Sequence, residues 1–413
     1  MSQVQINADR LWQTLETFAT YGATERGGVT RLTLSEEDKQ GRDTLRHWAQ
    51  EAGFQCDIDE LGNMFICRPG KNRDLPPVMT GSHGDSQPRG GNYDGLYGVL
   101  AGLEVLRTLN DHQIETERDL VLVNWTNEEG SRFAPAMLAS GVWTGVIDKE
   151  FALSRTDRDG ITVEQALQQI GYKGTLPAVS RPLHACYEIH IEQGPILEEE
   201  AVDIGVVKAA MGQNWYELRI QGFAAHAGTT PMHLRRDAMC GFAEFALAIE
   251  QIGQQFAPDG RATVGRVEVT PNSPNVVPSA VMCSVEIRHP NNDALQQMHT
   301  QIEQAVEALR QRQLEAELKQ LSHYDPVLFD DTCVERIEQA IEQHGYSQRP
   351  MVSGAGHDAC YVQRIAPTAM IFIPCVKGIS HNEAERILPE WSEKGANVLL
   401  STLIAAANDL DHS

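Results

Sequence analysis

The sequence predicts an α/β fold in which a mixed-sheet domain is interrupted by an inserted ferredoxin-like unit. Three observations lead there. The chain of 413 residues exceeds the length that a single hydrophobic core usually sustains. Short apolar runs alternate with helical patterns through most of it, and one stretch breaks that alternation with its own β-α-β-β-α-β order.

An amphipathic helix opens the chain, because Leu11, Trp12, Leu15 and Phe18 recur at helical spacing. Buried strands are expected at 77–80, 120–125, 186–189 and 369–373, where apolar runs end in turn or polar residues. Helical patterns cover 98–109 and 393–410. From about residue 212 the rhythm changes: a strand at 215–220, a helix at 235–253, strands at 262–269 and 280–288, a charged helix at 293–312 and a last strand at 314–321. The expected domains are therefore 1–211 with 326–413, one α/β domain in two parts, and 212–325, the insertion.

Bulk composition narrows the function. The formal charge of −23, from 34 basic and 57 acidic residues, repels nucleic acid and anionic lipid, so neither is an expected partner. Eight scattered cysteines without CxxC or zinc-ribbon spacing read as reduced thiols. The first six residues lack a basic and apolar leader pattern, and no apolar run reaches bilayer-spanning length. The expected location is the cytoplasm.

Four polar clusters follow predicted strands. Gly81-Ser82-His83-Gly84-Asp85 leads into Gly90-Gly91-Asn92-Tyr93-Asp94-Gly95, at the strand ends where open α/β sheets bind ligands. Asp85 is placed to accept the second ring N–H of His83. Thr126-Asn127-Glu128-Glu129-Gly130 carries adjacent carboxylates, which are costly to bury together without a cation; one could hold a metal and the other serve as general base. His190-Ile191-Glu192-Gln193-Gly194 and Gly378-Ile379-Ser380-His381-Asn382 complete the set. Each cluster alone could be a turn or a solvated face, but four together point to a metal site. Nitrogen and carboxylate donors without thiolate suit zinc, manganese, cobalt or nickel.

The motifs GSHxD, GGxxDG, EEG, HIEQG, HAGTTPM, NVVP, GAGHD and GISHN occur in this order over nearly the whole chain. In them the sequence resembles the hydantoinase/carbamoylase branch of the M20 metallopeptidase-like family, which includes N-carbamoyl-L-amino acid hydrolases, allantoate amidohydrolases and bacterial-type β-ureidopropionases. The resemblance implies two divalent ions per subunit, one held by His83 and His190, the other by Glu129 and His381, with Asp94 between them and Glu128 as the catalytic carboxylate. It implies a homodimer formed through the insertion, a lid and dimerisation domain, with His226 donating to the oxyanion across the dimer. Gln213, Asn275 and His357 match its substrate contacts, and the fork of Arg288 suits a substrate carboxylate. His190 favours this branch, since peptide-cleaving relatives place a carboxylate there. Gly84 departs from the larger aliphatic residue of many members.

The implied reaction is hydrolysis of the ureido C–N bond of an N-carbamoyl-L-amino acid, releasing carbon dioxide, ammonia and an amino acid. Allantoate and β-ureidopropionate are the alternatives by the same mechanism; aminoacylase or dipeptidase action is more distant.

Overall fold

The computed structural model describes residues 4–410, so the reading of the first six residues falls partly outside it, at 1–3. The chain forms two compact units, one reaching to Lys208 and resuming at Phe329, the other spanning Ala209–Leu328.

The first unit is built on a nine-stranded mixed sheet. Its strands in chain order are β1 (Gln55–Ile58), β2 (Met64–Arg68), β3 (Val78–His83), β4 (Leu120–Trp125), β5 (Ala185–Ile191) and β6 (Ile204–Ala210). Across the sheet β4, β3 and β5 lie side by side and parallel. Every residue of β3 and β5 is buried, which is why they read as continuous apolar runs rather than alternating ones. β2 continues the sheet antiparallel to β4, and β1 forms the edge beyond it.

One face of the sheet is covered by the helices Leu96–Asp111 and Pro389–Ala407, joined where the Tyr97 hydroxyl donates to the Ser392 carbonyl at 2.8 Å. On the other face Met79, Val123, Trp125, Trp143, Cys186 and Val362 form a cluster, with the Trp125 and Trp143 rings 5.4 Å apart. The opening helix is Ala8–Phe18, capped by the Asn7 side chain on the Arg10 N–H and burying Leu11, Leu15 and Phe18.

The second unit contains β7 (Gly212–Gln221), the short β8 (Ala225–His226), β9 (Arg261–Thr270), the short β10 (Val276–Val277), β11 (Ala280–His289) and β12 (Glu315–Tyr324). Its antiparallel sheet has the order β12-β7-β11-β9. Burial alternates along β7 and β11, as a sheet with one covered face requires. The helices Ala238–Gln255 and Asn292–Arg310 supply that cover, packing Phe242, Phe245, Ile249, Met298 and Ile302 on Leu218, Ile220, Val281 and Ile287.

The chain then returns to the first unit through β13 (Val327–Leu328), β14 (Gln348–Ser353) and β15 (Thr368–Ile373). β15 runs parallel to β5, so β4, β3, β5 and β15 present their carboxyl ends along one edge. The mixed-sheet α/β class expected from the sequence is the class found. Among the described residues no helix is long and apolar enough to cross a membrane.

Candidate metal centre

The edge made by those four strand ends gathers the polar clusters. His83 is the last residue of β3, in register with Trp125, after which β4 gives way to the Thr126–Gly130 turn with Asn127 in the left-handed region. His190 is the penultimate residue of β5, in register with Phe372 of β15. His381 follows β15 through the short turn Val376–Gly378. Asp94 sits just before the helix Leu96–Asp111, where Gly95 takes φ +63° and a Cβ would collide with the His83 ring.

Asp94 is the centre of the arrangement. Its Oδ1 lies 3.1 Å from His190 Nε2 and 3.7 Å from His83 Nε2, and its Oδ2 lies 3.1 Å from His381 Nε2. His381 Nε2 is also 3.5 Å from Glu129 Oε2. Two donor triads result, His83/Asp94/His190 and Asp94/Glu129/His381, each with ligand atoms within 4.8 Å of one another and sharing Asp94.

The tautomers suit metal binding. His190 Nδ1–H donates to the Ile191 carbonyl at 2.9 Å, while its Nε2 accepts from the Gly95 N–H at 3.0 Å and so carries a lone pair. His83 Nδ1–H donates to the Asp85 carbonyl at 3.1 Å, turning Nε2 toward Asp94. The side-chain carboxylate of Asp85 lies farther off, at 3.5 Å, and instead accepts the N–H groups of Glu128 and Glu129, each at 3.3 Å. The ring of His83 is thus held by backbone, and the Asp85 side chain fixes the turn that carries both glutamates. Lone pairs converging at these distances fit a cation: donors around an ion with bonds of about 2.0–2.2 Å stand roughly 3.4 Å apart.

Electrostatics agree. Burial raises the Asp94 carboxyl, but the neighbouring His190 and His381 rings overcome it and hold the group well below the usual range. Burial pushes Glu128 well up and Glu129 to about 7, the latter also lifted by Asp94. The hydrogen bond to Asp94 raises His381 to about 9. Clustered carboxylates of this kind are brought back to their ionised forms by a divalent cation.

Glu128 is buried with its Oε2 3.5 Å from His83 Nε2, outside both triads but beside them. His357 is buried too, its ring 4.7 Å from that of His190 and its Nε2 hydrogen-bonded to Ser353 Oγ at 2.8 Å. Glu188, His190 and His357 form a third cluster, but Glu188 already accepts the Ser82 hydroxyl at 2.6 Å and the Ala359 N–H at 3.0 Å. That engagement makes Glu188 a buried brace under the histidines.

Sequence reasoning passed over Gln87, Gln193, Glu188 and Glu385. Gln87 donates to Glu129 through its backbone N–H (3.0 Å) and its Nε2 (2.8 Å), and Gln193 Nε2 donates to Asp94 Oδ2 at 2.7 Å. Gln193 stands inside the HIEQG motif, which was the available signal; Gln87 has none.

The remaining expected residues belong to the second unit. Gln213 of β7 pairs in register with Arg288 of β11, whose guanidinium bonds Glu286. His226 pairs with Val276, and the Asn275 carbonyl accepts the Ala227 N–H at 3.2 Å, so His226 and Asn275 lie together at one small two-stranded sheet. His226 Nδ1 accepts the N–H groups of Gly228 (3.0 Å) and Thr229 (3.2 Å), which leaves Nε2–H as its outward donor.

The profile of peptidase family M20/M25/M40 matches residues 79–405. The chain belongs to that family. Within M20 it is 44% identical over 404 residues to an N-carbamoyl-L-amino-acid amidohydrolase of Rhizobium meliloti, covering 98% of this chain and 97% of that one. It is 32% identical to an allantoate amidohydrolase of Bacillus subtilis, covering 95% and 96%. A crystal structure of an amidase of the hydantoinase/carbamoylase family from Burkholderia multivorans superposes with a TM-score of 0.94 at 52% identity, covering 98% and 99% of the two chains. This M20 chain therefore stands in the hydantoinase/carbamoylase branch.

Proposed function

We propose that this M20 protein hydrolyses the carbamoyl C–N bond of N-carbamoyl-L-amino acids, using two divalent ions, zinc or manganese, cobalt or nickel. The observation that carries the reading is the pair of donor triads sharing Asp94, with Glu128 left over beside them. His83 and His190 would hold one ion, Glu129 and His381 the other. When bound, such a pair supplies a polarising charge and a lowered water pKa.

The chain's own groups do the rest. Glu128 takes the proton of the attacking water as the ureido carbonyl carbon is attacked, and passes it to the leaving nitrogen. Carbamate breakdown then yields carbon dioxide, ammonia and the amino acid. Across the homodimer, His226, with Nε2–H as its outward donor, suits the developing oxyanion. Arg288, with Gln213 beside it, suits the substrate carboxylate, and Asn275 and His357 complete the contacts. The protein is taken to act as a homodimer. The eight unpaired cysteines favour the cytoplasm as its compartment.

The test is ammonia release by metal-stripped protein reloaded with each ion, across N-carbamoyl-L-amino acids, β-ureidopropionate, allantoate and N-acyl amino acids. The expected result is ammonia from an N-carbamoyl-L-amino acid. The Bacillus subtilis relative favours allantoate as the second reading, and the same panel separates the two. Cleavage of N-acyl amino acids without ammonia from any ureido compound would overturn both.

A further inference from the structure

We propose that Glu385 is a positioning residue that ties the loop bearing Asp94 to the loop bearing His381, and so sets the separation of the two ion sites. The inference rests on the two-ion reading above. Glu385 is 1% exposed, and every partner its carboxylate takes lies at the centre. Oε1 accepts the backbone N–H of Tyr93 at 2.8 Å and of Asp94 at 3.1 Å. Oε2 accepts the hydroxyl of Ser380, the neighbour of His381, at 2.9 Å. The same hydroxyl lies 3.1 Å from Asp94 Oδ2, so one proton stands between two carboxylates.

The sequence makes room for this group at some cost. A Cβ at residue 91 would collide with the Glu385 carboxyl, so Gly91 is the space into which the clamp fits. A carboxylate buried beside Asp94 is unfavourable, and burial, with Asp94 next, lifts Glu385 to about 7. Residues 94 and 381 lie almost three hundred positions apart, on loops that follow different strands. Without Glu385 the two loops keep only the Ser380 and His381 contacts to the Asp94 side chain, and the backbone that carries Asp94 loses its anchor.

An amide at this position separates shape from chemistry. Glu385→Gln can still accept the Tyr93 and Asp94 N–H groups, but its amino group then faces Ser380, reverses that bond and sends the hydroxyl proton to Asp94. Glu385→Ala removes the carboxylate bridge and leaves the Ser380 hydroxyl to Asp94 alone.

Titration of metal-stripped full-length protein with zinc chloride or cobalt chloride, followed by calorimetry and by the cobalt absorption spectrum, tests the proposal. Loss of such supporting partners typically weakens metal affinity about 10–100-fold. Glu385→Ala should fall in that range, with a changed cobalt spectrum, and Glu385→Gln should fall between it and the parent. Thermal unfolding of the ion-free proteins separates this from general destabilisation, since a positioning role predicts midpoints much closer together than the affinities. Should Glu385→Ala fail to fold, Glu385→Gln decides. Parental affinity and spectrum in the variants, with two ions bound by the parent, would overturn the clamp alone. Fewer than two ions on the parent itself would instead defeat the two-ion reading, and the clamp with it.

Discussion

Glu128 and Glu129 are chemically alike and adjacent, yet their surroundings give them different work. Glu129 is pinned by two donors from Gln87 and faces His381, the posture of a ligand. Glu128 is anchored by its backbone, its N–H on Asp85 and its carbonyl accepting the Met137 N–H at 2.7 Å, with the carboxylate turned to His83. Glu128→Gln cannot take a proton, and turnover should fall by about 10²–10⁴-fold, the usual worth of general base catalysis, while both ions remain. Elemental analysis beside a rate measurement checks both halves; undiminished turnover would remove Glu128 from its role. The polar clusters that converge here were visible because most of them follow an apolar run, whereas the choice of His83, Asp94, Glu129, His190 and His381 within them came from the family resemblance. Glu385 was not visible, because nothing local distinguishes a glutamate whose partners are set by tertiary approach.

Parallel pairing does at the level of elements what no single residue can. With β4, β3, β5 and β15 pointing one way, residues from 83 to 381 arrive at one edge of the sheet. The runs that became those strands were visible because burial on both faces leaves them apolar throughout. The helix Glu36–Glu51 was missed for the opposite reason: its buried side includes Asp38 and Arg42, ion-paired at 2.8 Å, which blunts the apolar period. The turn into Leu96–Asp111 is the element most sensitive to change. Gly95→Ala should lose about 1–2 kcal/mol from the left-handed backbone alone, and more from the collision with His83. Chemical denaturation of ion-free protein should register the loss, and metal titration should show the first triad weakened; a stable variant with normal affinity would mean that the loop relaxes freely.

For the whole molecule, the β-α-β-β-α-β order read from residue 212 onward appears as β7, β9, β11 and β12 with their two helices. Its short two-stranded sheet of β8 and β10 was not foreseen, since two-residue strands leave no periodicity. The formal charge of −23 is unfavourable for polyanions and favourable for cations, and several carboxylates converge at the centre, buried around Asp94. That convergence links metal binding to pH. His381, raised to about 9, carries a proton at neutral pH until an ion displaces it, and Glu129, near 7, is partly protonated. Binding therefore releases protons, and affinity should climb as pH rises from 6 to 8. The most direct test is calorimetric titration of metal-stripped protein with zinc at several pH values and in buffers of different ionisation enthalpy. Two ions per chain, proton release and tighter binding at higher pH are the predicted results; a single ion, or affinity indifferent to pH, would contradict a centre built around Asp94.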